Sequence, residues 1–187
     1  MACTQIITSI AKDCSGNVGG VKEVYIANKS AVDADLFELD EEGVFYVQSG
    51  WSGGKVFTRL EMPRGAATFG TTAQINRETG ANYFDNAVTV VVNKLRNGTA
   101  ALLKALVLGE FVALVRDNND VAHLVGYGLT PSSNSSEGAM ATDGSSTTGT
   151  ALTDANRETV TLAASESEPS PTASWSVISE DFLAYVS

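Results

Sequence analysis

Hydrophobic and polar residues alternate along most of this chain, which is the pattern of half-buried β strands. Lys22–Ala27 follows the glycine pair Gly19–Gly20 and consists mainly of strand-forming residues. Val44–Val47 and Lys55–Met62 continue the pattern, and Pro63 ends the latter run because proline has no backbone N–H to pair. The first part of the chain therefore predicts short strands joined by turns.

A long β hairpin is predicted next, with Arg77–Asn82 as its turn. Its arms have about ten residues each, which is longer than a usual strand. We expect a ribbon of this length to reach beyond its own domain. Two sets of alternating residues define one face of each arm: Phe69, Thr71, Ala73 and Ile75, and then Phe84, Val88, Val90 and Val92.

One segment has helical rather than strand periodicity. Ala100–Leu108 consists of good helix formers, with Thr99 as the predicted N-cap and Gly109 as the end of the helix. Its apolar stripe predicts packing against a sheet. A second hairpin follows, in which Phe111–Arg116 and Val121–Tyr127 flank a turn of Asp and Asn residues.

The last part of the chain combines a polar stretch with further apolar runs. Eleven of the 21 residues in 130–150 are Ser or Thr, so we predict a long surface loop there. Thr159–Ala164 predicts a strand, and Trp175–Ile178 and Phe182–Val186 predict further strands that close the sheet.

Together these elements predict an all-β or β-dominated fold. We expect two packed antiparallel sheets, as a β-sandwich or half-barrel, flanked by one α-helix. Residues 1–187 then form a single domain with long surface loops at about 48–55, 77–82 and 130–150.

Acidic residues outnumber basic ones, 22 to 12, for a formal net charge of -10. This sign argues against phosphate binding as the main task. The six acids of Asp33–Glu42 occur with no base between them. We interpret them as a solvated loop or short surface helix. A calcium loop is the alternative, but the run lacks the glycine and the final glutamate of the helix–loop–helix calcium site.

Candidate catalytic residues are few. The one histidine, His123, shares a strand face with Val121 and Val125, where a packed residue is more common than a catalyst. The sequence has no nucleophile elbow and no phosphate-binding loop. A pair of carboxylates for glycoside hydrolysis stays open as an alternative, since 22 acids offer many pairs. We therefore predict no enzyme activity, no cofactor and no metal.

The cysteines and the apolar runs indicate in which cellular compartment the protein is expected. Cys3 and Cys14 are interpreted as two reduced thiols. No apolar run approaches the ~20 residues of a membrane span, so we expect a soluble protein made in the cytoplasm, without membrane insertion.

The segment Thr148–Pro171 resembles a part of the major tail proteins of long-tailed bacteriophages. In that family a stretch of the form xGTxxxDxNxxT precedes a strand with a TVTL-like core and an acidic, proline-containing turn. Asp13–Asn28 is similar to the opening of phage structural proteins, and the order strand, helix, hairpin over Val88–Tyr127 fits the family's fold. The residues that match the stretch are Gly149, Thr150, Asp154, Asn156 and Thr159.

The resemblance implies a tail-tube-like fold and the role of a tail tube subunit in the virion. In such a tube six copies form a ring, the rings stack, and the sheets join into one barrel around a lumen. DNA crosses the lumen during ejection without specific binding, and the partners are further copies and other tail proteins. A negative lumen repels DNA phosphates, so we predict that Asp and Glu outnumber Lys and Arg on the lumen wall.

Subunit contacts are predicted at three protrusions. The Trp51 loop and the Ser/Thr-rich loop are candidates for contact between rings, and the ribbon 66–92 for contact within or between rings. Trp51 has an alternative role as a lid over its own core, whereas Trp175 is predicted in the core. The candidate interface residues are Trp51, Phe69, Ile75, Arg77, Glu78, Tyr83, Ser135 and Thr147.

Two other classes of protein remain as alternatives. One is a different virion part, either a tail terminator or adaptor or a head decoration protein. The other is a carbohydrate-binding β-sandwich, which usually clusters aromatic side chains on one face. The seven Phe, five Tyr and two Trp fall mostly at alternating strand positions and predict no such cluster.

Overall fold

A computed structural model describes residues 16–33, 35–40, 44–63, 65–95, 98–130, 133–134 and 138–187. Cys3, Cys14 and Ser135 lie outside the described residues, as do the predictions made for them. The strands are β1 (Val21–Asn28), β2 (Phe37–Leu39), β3 (Phe45–Val47), β4 (Thr58–Leu60), β5 (Ala67–Ile75), β6 (Asn82–Asn93), β7 (Phe111–Asp117), β8 (Val121–Val125), β9 (Leu129–Thr130), β10 (Ser133–Asn134), β11 (Met140–Thr147), β12 (Arg157–Glu166) and β13 (Thr172–Ser174). The α-helices are α1 (Thr99–Leu108) and α2 (Trp175–Leu183), and Lys29–Ala31 forms a short 3-10 turn.

Two antiparallel sheets make up most of the fold. The first has five strands in the order β13-β8-β7-β1-β4, and the second has four in the order β11-β12-β6-β5. The short pairs β2–β3 and β9–β10 complete the strand pairing of the described chain. The predicted β-dominated fold with packed antiparallel sheets is confirmed, and so are both predicted hairpins, β5–β6 and β7–β8.

The five-stranded sheet is the middle layer of the molecule. Its strand β7 has an uninterrupted apolar run because both faces of the sheet are covered. Val112 and Leu114 belong to a core cluster shared with α2 and the β2–β3 pair. Ala113 and Val115, which point the opposite way, belong to a second cluster shared with the four-stranded sheet.

The second cluster is the core of the predicted sandwich. Val24 of β1 belongs to it together with Val88 of β6 and Leu162 of β12. Helix α1 closes one side, with Leu106 in the cluster and Leu103 packed over Gly144 of β11. The helix therefore flanks the sandwich and packs against a sheet, as its apolar stripe predicts.

Two sequence predictions about the last part of the chain are wrong. Residues 140–147 form strand β11, paired from Met140↔Ala163 to Thr147↔Arg157, and not a loop. Its side chains are nearly all exposed, so backbone pairing and not burial holds it. Trp175–Leu183 is a helix and not a pair of strands.

Helix α2 gives the molecule a second helix and a further layer that the sequence prediction lacked. Trp175, Ile178 and Phe182 point to its buried side at helical spacing. Trp175 lies in the core, as predicted. Among the described residues, no helix is long and apolar enough to cross a membrane.

Two smaller predictions also differ from the structure. The strand expected over Lys55–Met62 is limited to Thr58–Leu60, the residues that pair with β1, while Phe57 forms an isolated bridge with Val186. The N-cap of α1 is Gly98 and not Thr99.

Candidate assembly surface

The four-stranded sheet has one face in the core and one face without a covering layer in the described part of the chain. The strand register shows that every second residue of each strand points to this outer face, and most of these residues are small. The hydroxyls of Thr89 and Thr161 lie 2.9 Å apart across neighbouring strands. The outer-face residues are Thr68, Gly70, Thr72 and Gln74, then Tyr83, Asp85, Ala87, Thr89, Val91 and Asn93, then Arg157, Thr159, Thr161, Ala163 and Ser165, and finally Met140, Asp143, Ser145 and Thr147.

Acids outnumber bases on this outer face. Asp85 and Asp143 carry negative charge there, and Arg157 is the basic residue. The Asp85 carboxylate accepts hydrogen bonds from Gln74 Nε2 at 3.1 Å and from Ser165 Oγ at 2.6 Å. These two hydrogen bonds orient the Asp85 carboxylate, and because both donors are neutral, the negative charge of Asp85 is not cancelled.

The two outer strands of this sheet, β5 and β11, each have one side without a strand neighbour among the described residues. The Val91 N–H donates to Ala66 O at 2.8 Å. Because backbone groups of an antiparallel pair alternate in direction, those of Thr71, Ala73 and Ile75 point to the unpaired side of β5. This stretch is exposed and can accept another strand.

The far end of the β5–β6 hairpin projects beyond its sheet. Strand β12 pairs with β6 only as far as Phe84, so residues 74–83 have no third strand beside them in the part of the chain that the structure describes. Asn76 Oδ1 accepts the N–H groups of Glu78 and Thr79 and holds the turn. The exposed side chains on this projection include the predicted candidates Ile75, Arg77, Glu78 and Tyr83.

The opposite end of the sheet carries the loop 148–156, which joins β11 to β12. Asp154 Oδ2 accepts hydrogen bonds from Thr150 N, Thr150 Oγ1 and Ala151 N at 2.7, 2.9 and 2.8 Å. The Ala151 N–H and the Thr150 donors hold the pKa of this carboxyl below its usual value. Leu152, inside the loop, is fully exposed.

A polar network joins the two large sheets through their shared interior. Glu166 Oε2 accepts from Asn86 Nδ2 at 2.6 Å, and Oε1 accepts from Gly128 N at 3.1 Å. Asn86 is fully buried, and its Oδ1 accepts from Thr71 Oγ1 at 2.7 Å and Ser170 N at 3.2 Å. Burial raises the pKa of the Glu166 carboxyl, although the Asn86 and Gly128 donors act in the opposite direction.

The lone histidine is a packing residue at the edge of the sandwich core. Its ring lies 4.5 Å from the ring of Phe69, and its Nε2 is 3.8 Å from Asp117 Oδ2. Burial lowers the pKa of His123, while the Asp117 charge raises it. Phe69 is half-buried between the sheets by this contact, so less of it is exposed than of the hairpin candidates.

Trp51 packs against its own chain. Its ring meets Tyr185 edge-on at 5.3 Å between centroids, its Nε1 donates to Asp33 Oδ2, and its backbone N–H donates to the Tyr185 hydroxyl. The structure thus matches the predicted lid over its own core. Thr147 is exposed at the end of β11, beside Arg157 on the outer face.

Sequence reasoning missed Leu152 and the Asn86–Glu166 network. Leu152 could have been found from the sequence, because it lies inside the Gly149-to-Asn156 motif and the polar residues of this motif hold the loop. Asp154 binds the Thr150 N–H, and Asn156 Oδ1 accepts the Leu95 N–H. The network had no such signal, because Asn86 and Glu166 are distant in sequence and meet only when β6 pairs with β12.

No group of three or more His, Cys, Asp or Glu side chains in the described residues is arranged to hold a metal ion. Within the acidic block, Phe37–Leu39 is a strand, and Asp33 is engaged by Trp51. Comparison of the chain with family models, with curated proteins and with solved structures gives no match in any of the three.

Proposed function

We propose that this protein is the subunit of a hollow tube in a bacteriophage tail, assembled as stacked rings of six copies, through which DNA passes during ejection. The observation that carries this proposal is the four-stranded sheet, whose outer face has no covering layer and whose two outer strands have no further strand neighbour among the described residues. Adding β5 of one subunit to β11 of the next continues the sheet around a ring. The outer face then lines the lumen.

The side chains on the outer face support the same proposal. They are mostly small and polar, so few long side chains would project into the proposed lumen. The two acids exceed the single base, and a net negative wall repels DNA phosphates and keeps the DNA from adhering.

The carbohydrate-binding alternative has less support. Such a site needs several exposed aromatic rings on one face, whereas Phe37, Phe45, Phe57 and Phe182 are buried in one core cluster. Tyr83 is the single aromatic residue on the outer face of the four-stranded sheet.

The proposal is tested by negative-stain electron microscopy and solution mass of the purified full-length protein at high concentration. We expect rings with sixfold symmetry and tubes with a central channel. A strict monomer under all conditions contradicts the proposal. Rings that never stack indicate a terminator or adaptor instead.

A substitution at the edge of β5 sharpens this test. Ala73→Pro removes an N–H that points to the unpaired side, so it leaves the pairing with β6 intact while blocking strand addition. The matched control Ala73→Val keeps the N–H. We expect Ala73→Pro to abolish rings and Ala73→Val to retain them, with similar unfolding midpoints. Rings formed equally by both variants contradict edge-to-edge assembly.

A further inference from the structure

We infer that Leu152 is an apolar contact residue that docks on the projecting β5–β6 hairpin of a second copy of this chain, and that this contact joins one ring to the next. The inference rests on the proposed function and assigns one of its interfaces to a named residue. It is carried by three properties of the described chain: a fixed loop, an exposed isoleucine on the projection at the opposite end of the sheet, and opposite net charge of the exposed side chains at the two ends.

The loop around Leu152 is fixed by its own hydrogen bonds. The Asp154 carboxylate accepts hydrogen bonds from the backbone N–H groups of Thr150 and Ala151 and from the Thr150 hydroxyl. The Asp154 N–H donates to Ala151 O at 3.0 Å and closes a turn with Leu152 and Thr153 at its centre. Gly149 packs so closely that an added Cβ would lie 2.3 Å from Asp154 Cβ.

This turn presents a fully exposed leucine at its tip. The Leu152 side chain is left in water in the isolated chain, whereas a contact with another surface would remove its apolar area from water, which is favourable. A loop that is already ordered also loses little conformational freedom on binding. The arrangement therefore favours a contact with another surface.

The surface that fits lies at the other end of the same sheet. Strands β6 and β12 are antiparallel, so the turn after β11 and the turn after β5 lie at opposite ends. The β5–β6 projection carries Ile75, which is 70% exposed. When copies stack head to tail, the Leu152 loop of one copy meets the projection of the next, and the contact repeats without closing.

Charges at the two ends favour the same orientation. Lys94 and Arg157 are exposed at the base of the Leu152 loop, which also carries the exposed acid Asp154, while Glu158 at this end is buried. Glu78 and Glu168 are exposed at the hairpin end, with Arg77 as the basic exception there. Counting these exposed side chains, the loop end is net positive and the hairpin end net negative, and opposite charges attract.

The variant Leu152→Asp tests the inference, with Val177→Asp as the matched control. Val177 is 69% exposed on α2, on the side of the molecule away from the four-stranded sheet. Electron microscopy scores rings and stacks separately. We expect Leu152→Asp to form single rings that do not stack, Val177→Asp to form tubes like the wild type, and all three proteins to share one unfolding midpoint.

A photoreactive benzoylphenylalanine at position 152 identifies the partner surface. In assembled protein we expect adducts between copies that map to residues 74–83. Adducts elsewhere, or tubes from Leu152→Asp as abundant as those of the wild type, overturn the inference while leaving the tube proposal standing. A wild type that forms no rings overturns the tube proposal and the inference with it.

Discussion

Asn86 donates a hydrogen bond from Nδ2 to Oε2 of Glu166 at 2.6 Å, and this pair ties the four-stranded sheet to the chain that leaves the five-stranded sheet. Asn86 lies on β6 and Glu166 on β12, while Gly128, which donates to the same carboxylate, follows β8. The described residues contain no buried side-chain polar atom without a partner. The interior of the sandwich is therefore polar at this point and fully satisfied.

Replacing Asn86 tests how much this network contributes to the free energy of unfolding. Asn86→Ala removes the donor to Glu166 Oε2 and the acceptor of the Ser170 N–H, so we expect it to lower the free energy of unfolding by about 1–3 kcal/mol. The control Asn82→Ala, exposed on the same strand, should change it by less than about 0.5 kcal/mol. Urea unfolding of both variants gives the comparison. Equal midpoints would show that the network contributes little.

The raised pKa of Glu166 gives a pH dependence with a defined sign. A carboxyl whose folded pKa lies above its ordinary value of 4.5 stabilises the fold in its protonated form, so its contribution is present below 4.5 and lost as the pH rises through the folded pKa. Glu166→Gln cannot ionise. We therefore expect the wild type to lose stability relative to Glu166→Gln as the pH rises. Unfolding midpoints of both proteins across that range measure it, and a constant difference would contradict the prediction.

His123 is the one histidine in the chain, so its nuclear magnetic resonance titration is read without assignment. Burial against Phe69 should hold its pKa below 6.5. Stability from the neutral ring is then present above 6.5 and lost as the pH falls through the folded pKa. Asp117→Asn removes the charge that raises this pKa and should lower it further. A pKa unchanged by that substitution would exclude the Asp117 contribution.

The Asp154 turn predicts a local effect without a global one. Asp154→Ala removes the acceptor of the Thr150 and Ala151 N–H groups, so hydrogen exchange at these two amides should accelerate. The unfolding midpoint should stay near the wild-type value because the loop is exposed. Asp143→Ala, exposed on the neighbouring strand, is the control and should leave both amides unchanged.

Gly126 combines backbone strain with close packing, and two variants separate them. Its φ is 77°, and an added Cβ would lie 2.4 Å from Ala139 N and 2.6 Å from Phe111 O. These two residues form a mutual backbone bridge. Gly126→Ala should therefore cost more than the about 1–3 kcal/mol of positive-φ strain alone. Gly50→Ala, with a φ of 81° and open space around it, should cost only the strain.

Thermal unfolding of the two glycine variants measures the difference between them. A larger loss for Gly126→Ala than for Gly50→Ala assigns the excess to the Phe111–Ala139 bridge. Equal losses would show that the bridge adjusts to the added methyl group.

The β5–β6 hairpin could be predicted because buried and partly exposed side chains alternate along β6, and the β7–β8 hairpin because two apolar strand-forming runs flank a turn of Asp and Asn residues. Strand β11 escaped prediction for the opposite reason: its Ser, Thr, Gly and Asp residues have no apolar face to reveal it, and its partner β12 determines its place. Polar composition alone therefore does not distinguish a loop from an exposed outer strand.

Helix α2 was missed although its signal is present in the sequence. Trp175, Ile178 and Phe182 are spaced by three and four residues, which is a helical stripe. The two short apolar runs Trp175–Ile178 and Phe182–Val186 each resemble a strand, and the helical spacing appears only when both runs are taken together. Among the candidate interface residues, the sequence identified the exposed hairpin but not Leu152, although the Gly149-to-Asn156 motif contains Asp154, whose hydrogen bonds close the turn that exposes this leucine.

The opposite directions of the β5–β6 and β11–β12 turns give each subunit a front and a back. A polymer of such subunits has polarity, and its two termini expose different chemistry: one ends in leucine-tipped loops, the other in projecting hairpins. In the proposed tube, the component that starts the polymer and the component that caps it would therefore contact different surfaces of the same protein.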